Sequence, residues 1–136
     1  MSKDPIPTLN SNVLQGVADV LGATDGGLTG SKIAHVLSQV RVPDVSPSMT
    51  KRKRLFNALA TRQNLDKVGN CVVAFICEAM DPVRYRDHPA AFARLQGELN
   101  EVLVHAGLRI DDAGRVARLK SGKATTLDEA AARTQP

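Results

Sequence analysis

HPAAFARLQGELNEVLVHAG, residues 88–107, is the stretch on which the fold turns. Phe92, Leu95, Leu99, Val102, Leu103 and Ala106 recur three and four residues apart, the spacing of one face of an α-helix. Pro89 suits a first helical turn, where its missing N–H is not needed. Asp87 offers a cap before it, and Gly107 stands where such a helix ends. The pattern predicts an amphipathic helix over 88–106, with an apolar stripe that other elements must cover.

Upstream, residues 70–80 predict a helix that is apolar on most sides, through Val72, Val73, Phe75, Ile76, Ala79 and Met80. Such a helix belongs at the centre of a bundle. Asp81-Pro82 stops it. A further helix is expected over 49–63, capped by Ser48 or Thr50, with Leu55, Phe56 and Leu59 inward. Another is expected over 30–40, capped by Thr29, with the stripe Ile33, Val36, Leu37 and Val40. The first covers 9–21 and closes at Gly22. Residues 1–8, interrupted by Pro5 and Pro7, are expected as a flexible lead.

Downstream the periodicity changes. Leu108-Arg109-Ile110, the turn Asp111-Asp112-Ala113-Gly114, and Arg115 to Leu119 predict a small β-hairpin at 108–119. Over 121–136 a linker is expected, then a short helix started by the capping box Thr126-Leu127-Asp128-Glu129. Aromatics make up 3% of the chain and Trp is absent, so the core must be aliphatic, which favours packed helices. The expected fold is mainly α: a compact five-helix bundle over 9–120 with a small C-terminal hairpin and a short terminal helix.

No apolar run is long enough to span a bilayer and no signal-peptide stretch opens the chain, so a cytoplasmic location is expected, without membrane attachment. Cys71 and Cys77 lie six residues apart, about 240° around a helix, and are expected as inert thiols among apolar neighbours. His35, His88 and His105 form no metal-ligand spacing, so neither metal nor cofactor is expected. His35 and His105 sit beside apolar stripes and read as structural histidines.

The formal charge of +4 is uneven, with an excess of +6 over residues 31–63. Its source is Lys51-Arg52-Lys53-Arg54, in the first turn of the third helix, with Arg62 three turns on and near the same face. Cations there oppose the helix dipole, at a few tenths of a kcal/mol each. The free N–H groups of that turn also favour an anion. Lys51, Arg52, Lys53, Arg54 and Arg62 are therefore the candidate contacts for nucleic acid or another anion. Asn57, Gln63 and Asn64 could reach base edges in a helix-turn-helix arrangement, although the connection of about eight residues with two prolines exceeds the usual three or four. The alternative is a solvated face, or a patch answering an acidic partner.

Two weaker motifs read blandly. Arg84-Tyr85-Arg86-Asp87-His88 holds the pair used in metal-independent RNA cleavage, and reads more simply as an interhelix connection. Gly26, Gly27 and Gly30 precede a helix without a Walker or dinucleotide pattern, and read as a turn. No nucleophile elbow or zincin motif is present, and no catalytic residue is assigned.

The order Gly27-Leu28-Thr29-Gly30-Ser31-Lys32-Ile33, Pro43-Asp44, Met49-Thr50-Lys51-Arg52-Lys53-Arg54-Leu55-Phe56-Asn57-Ala58-Leu59, then Ala79-Met80-Asp81-Pro82-Val83-Arg84-Tyr85 and Thr126-Leu127, resembles the N-terminal part of bacterial Ymh-type conserved hypothetical proteins. The resemblance spans roughly residues 14–133. It implies a leader to a HEPN-like domain of the kind found in RNA-cleaving defence effectors, with an Arg and His five to seven positions apart. No Arg here has a His five to seven positions later, and the chain is expected to end before such a domain. The resemblance therefore implies a non-enzymatic recognition or regulatory module of a bacterial defence-type, abortive-infection-like system. Such a module would act through a protein partner or self-association. The alternative function is a nucleic-acid-binding regulator using residues 51–54.

Overall fold

Asn10 opens the first helix by accepting a hydrogen bond from the Val13 N–H at 2.9 Å, the capping geometry that Asn favours. The computed structural model describes residues 5–119, and within it α1 runs Ser11–Leu21. Thr29 caps α2, Gly30–Gln39, by accepting from the Lys32 N–H at 3.2 Å. α3 spans Lys51–Asp66 and α4 spans Asn70–Ala79. A 3-10 turn, Pro82–Tyr85, leads into α5, Pro89–Leu103, and a second, Val104–Ala106, follows it. β1, Leu108–Ile110, and β2, Val116–Arg118, close an antiparallel hairpin in the register Leu108–Arg118 and Ile110–Val116.

This is the mainly-α bundle with a small hairpin that the periodicity predicts. The expected terminal helix, in 121–136, lies outside the described residues. α1 packs on α3 and α5, α4 lies against α2 and α3, and the hairpin rests on α5. Every stripe residue of α1, α3 and α5 that the spacing places at the centre of its face is buried: Val17, Leu21, Leu55, Leu59, Leu95, Leu99 and Leu103. Phe75 and Ile76 of α4 are fully buried, as a central helix requires. Truncating any one of these to Ala costs about 2–5 kcal/mol. Gly16 permits the α1–α5 approach, because a Cβ there would stand 2.7 Å from Val102 Cγ1.

Several expected boundaries move for physical reasons. α5 ends its α-helical turns at Leu103, and the last turn tightens to 3-10 before Gly107. His88, and not Asp87, is its capping residue, through backbone alone. α3 runs to Asp66, beyond the expected 63, and Lys67 ends it in the left-handed conformation with φ 65°. Residues 6–9 are not a loose lead. The Ile6 N–H donates to Asn70 Oδ1 at 2.8 Å, its carbonyl accepts from Gly69 N–H at 2.7 Å, and Leu9 is buried. His35 and His105 are exposed, not structural core. Each falls one position off its apolar stripe, and about 100° per residue is enough to turn it outward.

Candidate functional site

The first turn of α3 carries four cations, and the structure divides them. The Arg54 guanidinium lies on Asp44: Nη2 donates to Oδ2 and Nε to Oδ1, at 2.6 Å and 3.1 Å. Its Nη1 donates to the Gly30 carbonyl at 3.3 Å. The Arg54 side chain is only 11% exposed and Asp44 25%, so this ion pair is sheltered from water. The Asp44 hydrogen bonds hold the guanidinium charged and raise its pKa against the cost of burial. Lys51 Nζ donates to the Leu28 carbonyl at 2.8 Å. Arg52 is half exposed and sits 4.0 Å from Asp19, a contact of little energetic weight. Lys53 is exposed.

Arg62 is tied to two neighbours. Its Nε donates to Asp66 at 3.0 Å, and its Nη1 donates to the Arg41 carbonyl at 2.9 Å. Asn57, a candidate for base edges, has Nδ2 3.2 Å from Ser46 Oγ and donates to it. Gln63, another, is 4% exposed. Its amide accepts from the Leu9 N–H at 2.9 Å and donates to the Leu9 carbonyl at 3.0 Å. Asn64 is exposed.

Arg54, Asn57 and Arg62 therefore form one broad polar stripe, three and five residues apart and spanning about 140° of the helix. That stripe holds the α2–α3 connection at Asp44, Ser46 and Arg41 respectively. Val42 fixes the near end: it is 3% exposed, and its N–H donates to the Leu37 carbonyl at 2.9 Å. The connection is thus a clamped strap and not the tight turn of a helix-turn-helix pair.

The strap leaves apolar side chains outside. Val45 is 46% exposed and Met49 44%, and Leu65, on the far end of the α3 stripe, is 74% exposed. These are three of the five large hydrophobic side chains exposed among the described residues. Arg54 to Leu65 is three helical turns, about 16 Å. Arg41, Arg52 and Lys53 are the exposed cations on the same strap and helix. Its carboxylates, Asp44 and Asp66, are each paired with an arginine.

Sequence reasoning named the cations but not their partners. Asp44 alone carried a hint, as the one carboxylate in residues 31–63. Among the described residues there is no cluster of three or more potential metal ligands, and no helix is long and apolar enough to cross a membrane. Cys71 is buried, and burial pushes its thiol pKa up, away from the reactive thiolate. Comparison with known proteins finds no matching family model, no matching curated protein and no matching solved structure, so the arrangement above is the ground for any functional reading.

Proposed function

We propose that this chain is a non-enzymatic recognition module, and that the strap 41–50 laid along α3 is its protein-docking face. One observation carries the reading: Arg54, Asn57 and Arg62 hold the strap in a fixed shape while Val45, Met49 and Leu65 remain in water. Exposed apolar groups held in advance lose little entropy on association, which is the condition for a small interface to bind. Arg41 on the strap and Lys53 on α3 are exposed cations, so the complementary partner carries acidic residues beside an apolar anchor. The Ymh-type resemblance supplies the setting, a bacterial defence-type system.

The nucleic-acid reading fares less well on the same face. Arg54 and Arg62 already hold carboxylates, and a phosphate would have to displace them. Single-stranded nucleic acid also seeks aromatic platforms. The chain's three Phe and one Tyr are all buried or half-buried.

Light scattering combined with crosslinked capture from the native host tests the proposal. The wild-type chain should self-associate or retain a defined acidic partner. The double variant Val45→Asp, Met49→Asp should lose it while keeping its melting temperature. A monomer that captures nothing, or a partner retained equally by that variant, would contradict the proposal.

A further inference from the structure

We propose a second site, independent of the docking face: a cationic cavity that binds a phosphomonoester. The two motifs that read blandly in sequence meet there. The Gly26-Gly27 turn forms one wall, Lys32 of α2 stands beside it, and Arg84, His88 and Arg94 come from the 3-10 turn and α5. The cavity measures about 200 Å³, and no carboxylate lines it. Three unrelated segments thus bring three permanent cations and an imidazole to one concave surface. Two of them also face carboxylates outside the lining, Arg84 at 3.0 Å from Glu78 and Arg94 at 3.6 Å from Glu98, so Lys32 carries the charge that an anion in the cavity newly neutralises.

The fit is built and not incidental. Arg94 Nη2 donates to the Gly26 carbonyl at 2.9 Å. Gly26 has φ +85°, and a Cβ on it would stand 2.8 Å from that same nitrogen. Only glycine serves both the turn and the arginine lying on it. Arg84 is oriented from behind, with Nε on the Glu78 carbonyl at 2.8 Å and Nη2 on Glu78 Oε2 at 3.0 Å. The Tyr85 ring is fixed by its hydroxyl, which donates to the Ala79 carbonyl at 3.0 Å, and by edge contact with Phe92 at 5.8 Å. Lys32 forms no ion pair with a described residue and is exposed, free to close on a ligand.

Charge and size select the ligand class. Lys32, together with the guanidinium N–H groups of Arg84 and Arg94 that Glu78, Glu98 and the Gly26 carbonyl leave over, suits the several acceptor oxygens of a phosphomonoester. The cavity holds a phosphoryl group and a few attached atoms, since a water takes about 30 Å³. Whole-ligand pockets typically begin near 300 Å³, so the remainder of the molecule stays outside.

Phosphorus NMR or calorimetric titration at matched ionic strength tests this, with inorganic phosphate and adenosine 5′-monophosphate as separate probes. The wild-type protein should saturate with at least one probe, and the tighter of the two identifies the source of the phosphate. Lys32→Glu should weaken binding tenfold or more. Lys53→Glu, the same charge change on exposed α3, should leave affinity within about twofold. Lys32→Ala, weaker by a few-fold, serves if the reversal disturbs folding. No saturable binding, or equal loss in the Lys32 and Lys53 variants, would overturn the site.

Discussion

The side-chain amide of Gln63 exchanges two hydrogen bonds with the backbone of Leu9, accepting at 2.9 Å and donating at 3.0 Å across 54 residues of chain. An extended segment ahead of α1 is thereby seated on α3 as though paired with a strand. Gln63 is the only buried polar side chain among the described residues, and both ends of its amide are satisfied.

Gln63→Leu should therefore destabilise the fold despite its greater apolarity. It leaves the buried N–H and C=O of Leu9 unpaired, a loss of about 1–3 kcal/mol. Urea unfolding measures the loss, and hydrogen exchange at Leu9 should quicken at the same time.

Arg54→Lys should not be conservative. Lysine keeps the charge but cannot make the forked contact with Asp44 and also reach Gly30. A loss of about 1–3 kcal/mol is expected. Hydrogen exchange over 41–50 should rise while α5 stays protected.

The hairpin turn should loosen in acid. Asp111 Oδ1 accepts from the N–H groups of Arg115 and Ala113 at 3.0 and 2.9 Å, and these bonds lower its carboxyl pKa. A lowered folded pKa contributes stability above the unfolded value, about 3.9. That contribution is lost as pH falls through the folded value. Amide shifts of Ala113 and Arg115 should move together in that acid range, and Asp111→Asn should remove the titration.

The two cysteines should react at different rates. Cys71 is buried with its thiol pKa raised by burial, whereas Cys77 is half-buried. Native-state labelling with a thiol reagent should modify Cys77 first, and Cys71 only when the chain unfolds.

The helices and their inward residues were legible because apolar spacing is local information. Ile33, Val36 and Leu37, or Leu95, Leu99 and Leu103, are buried as their periodicity demands. Thr29 was legible as a cap for the same reason. The roles of Arg54, Arg62 and Gln63 were not, since a charge or amide in sequence does not announce its partner. Asp44 is ten residues from Arg54, and Leu9 is 54 from Gln63. The cavity at Lys32 was hidden likewise, because Gly26 and Arg94 are 68 positions apart.

The salt dependence of binding to RNA and DNA, followed by anisotropy, tests most directly whether α3 holds its cations for the fold or for phosphate. A continuous track of five cations gives a slope of log K against log salt of about −4. With Arg54 and Arg62 bonded to carboxylates and Arg52 and Lys53 outward, any binding should show a slope no steeper than about −2. A slope near −4 that flattens in the Arg52→Ala, Lys53→Ala variant would contradict the clamped strap and return the basic segment to nucleic acid.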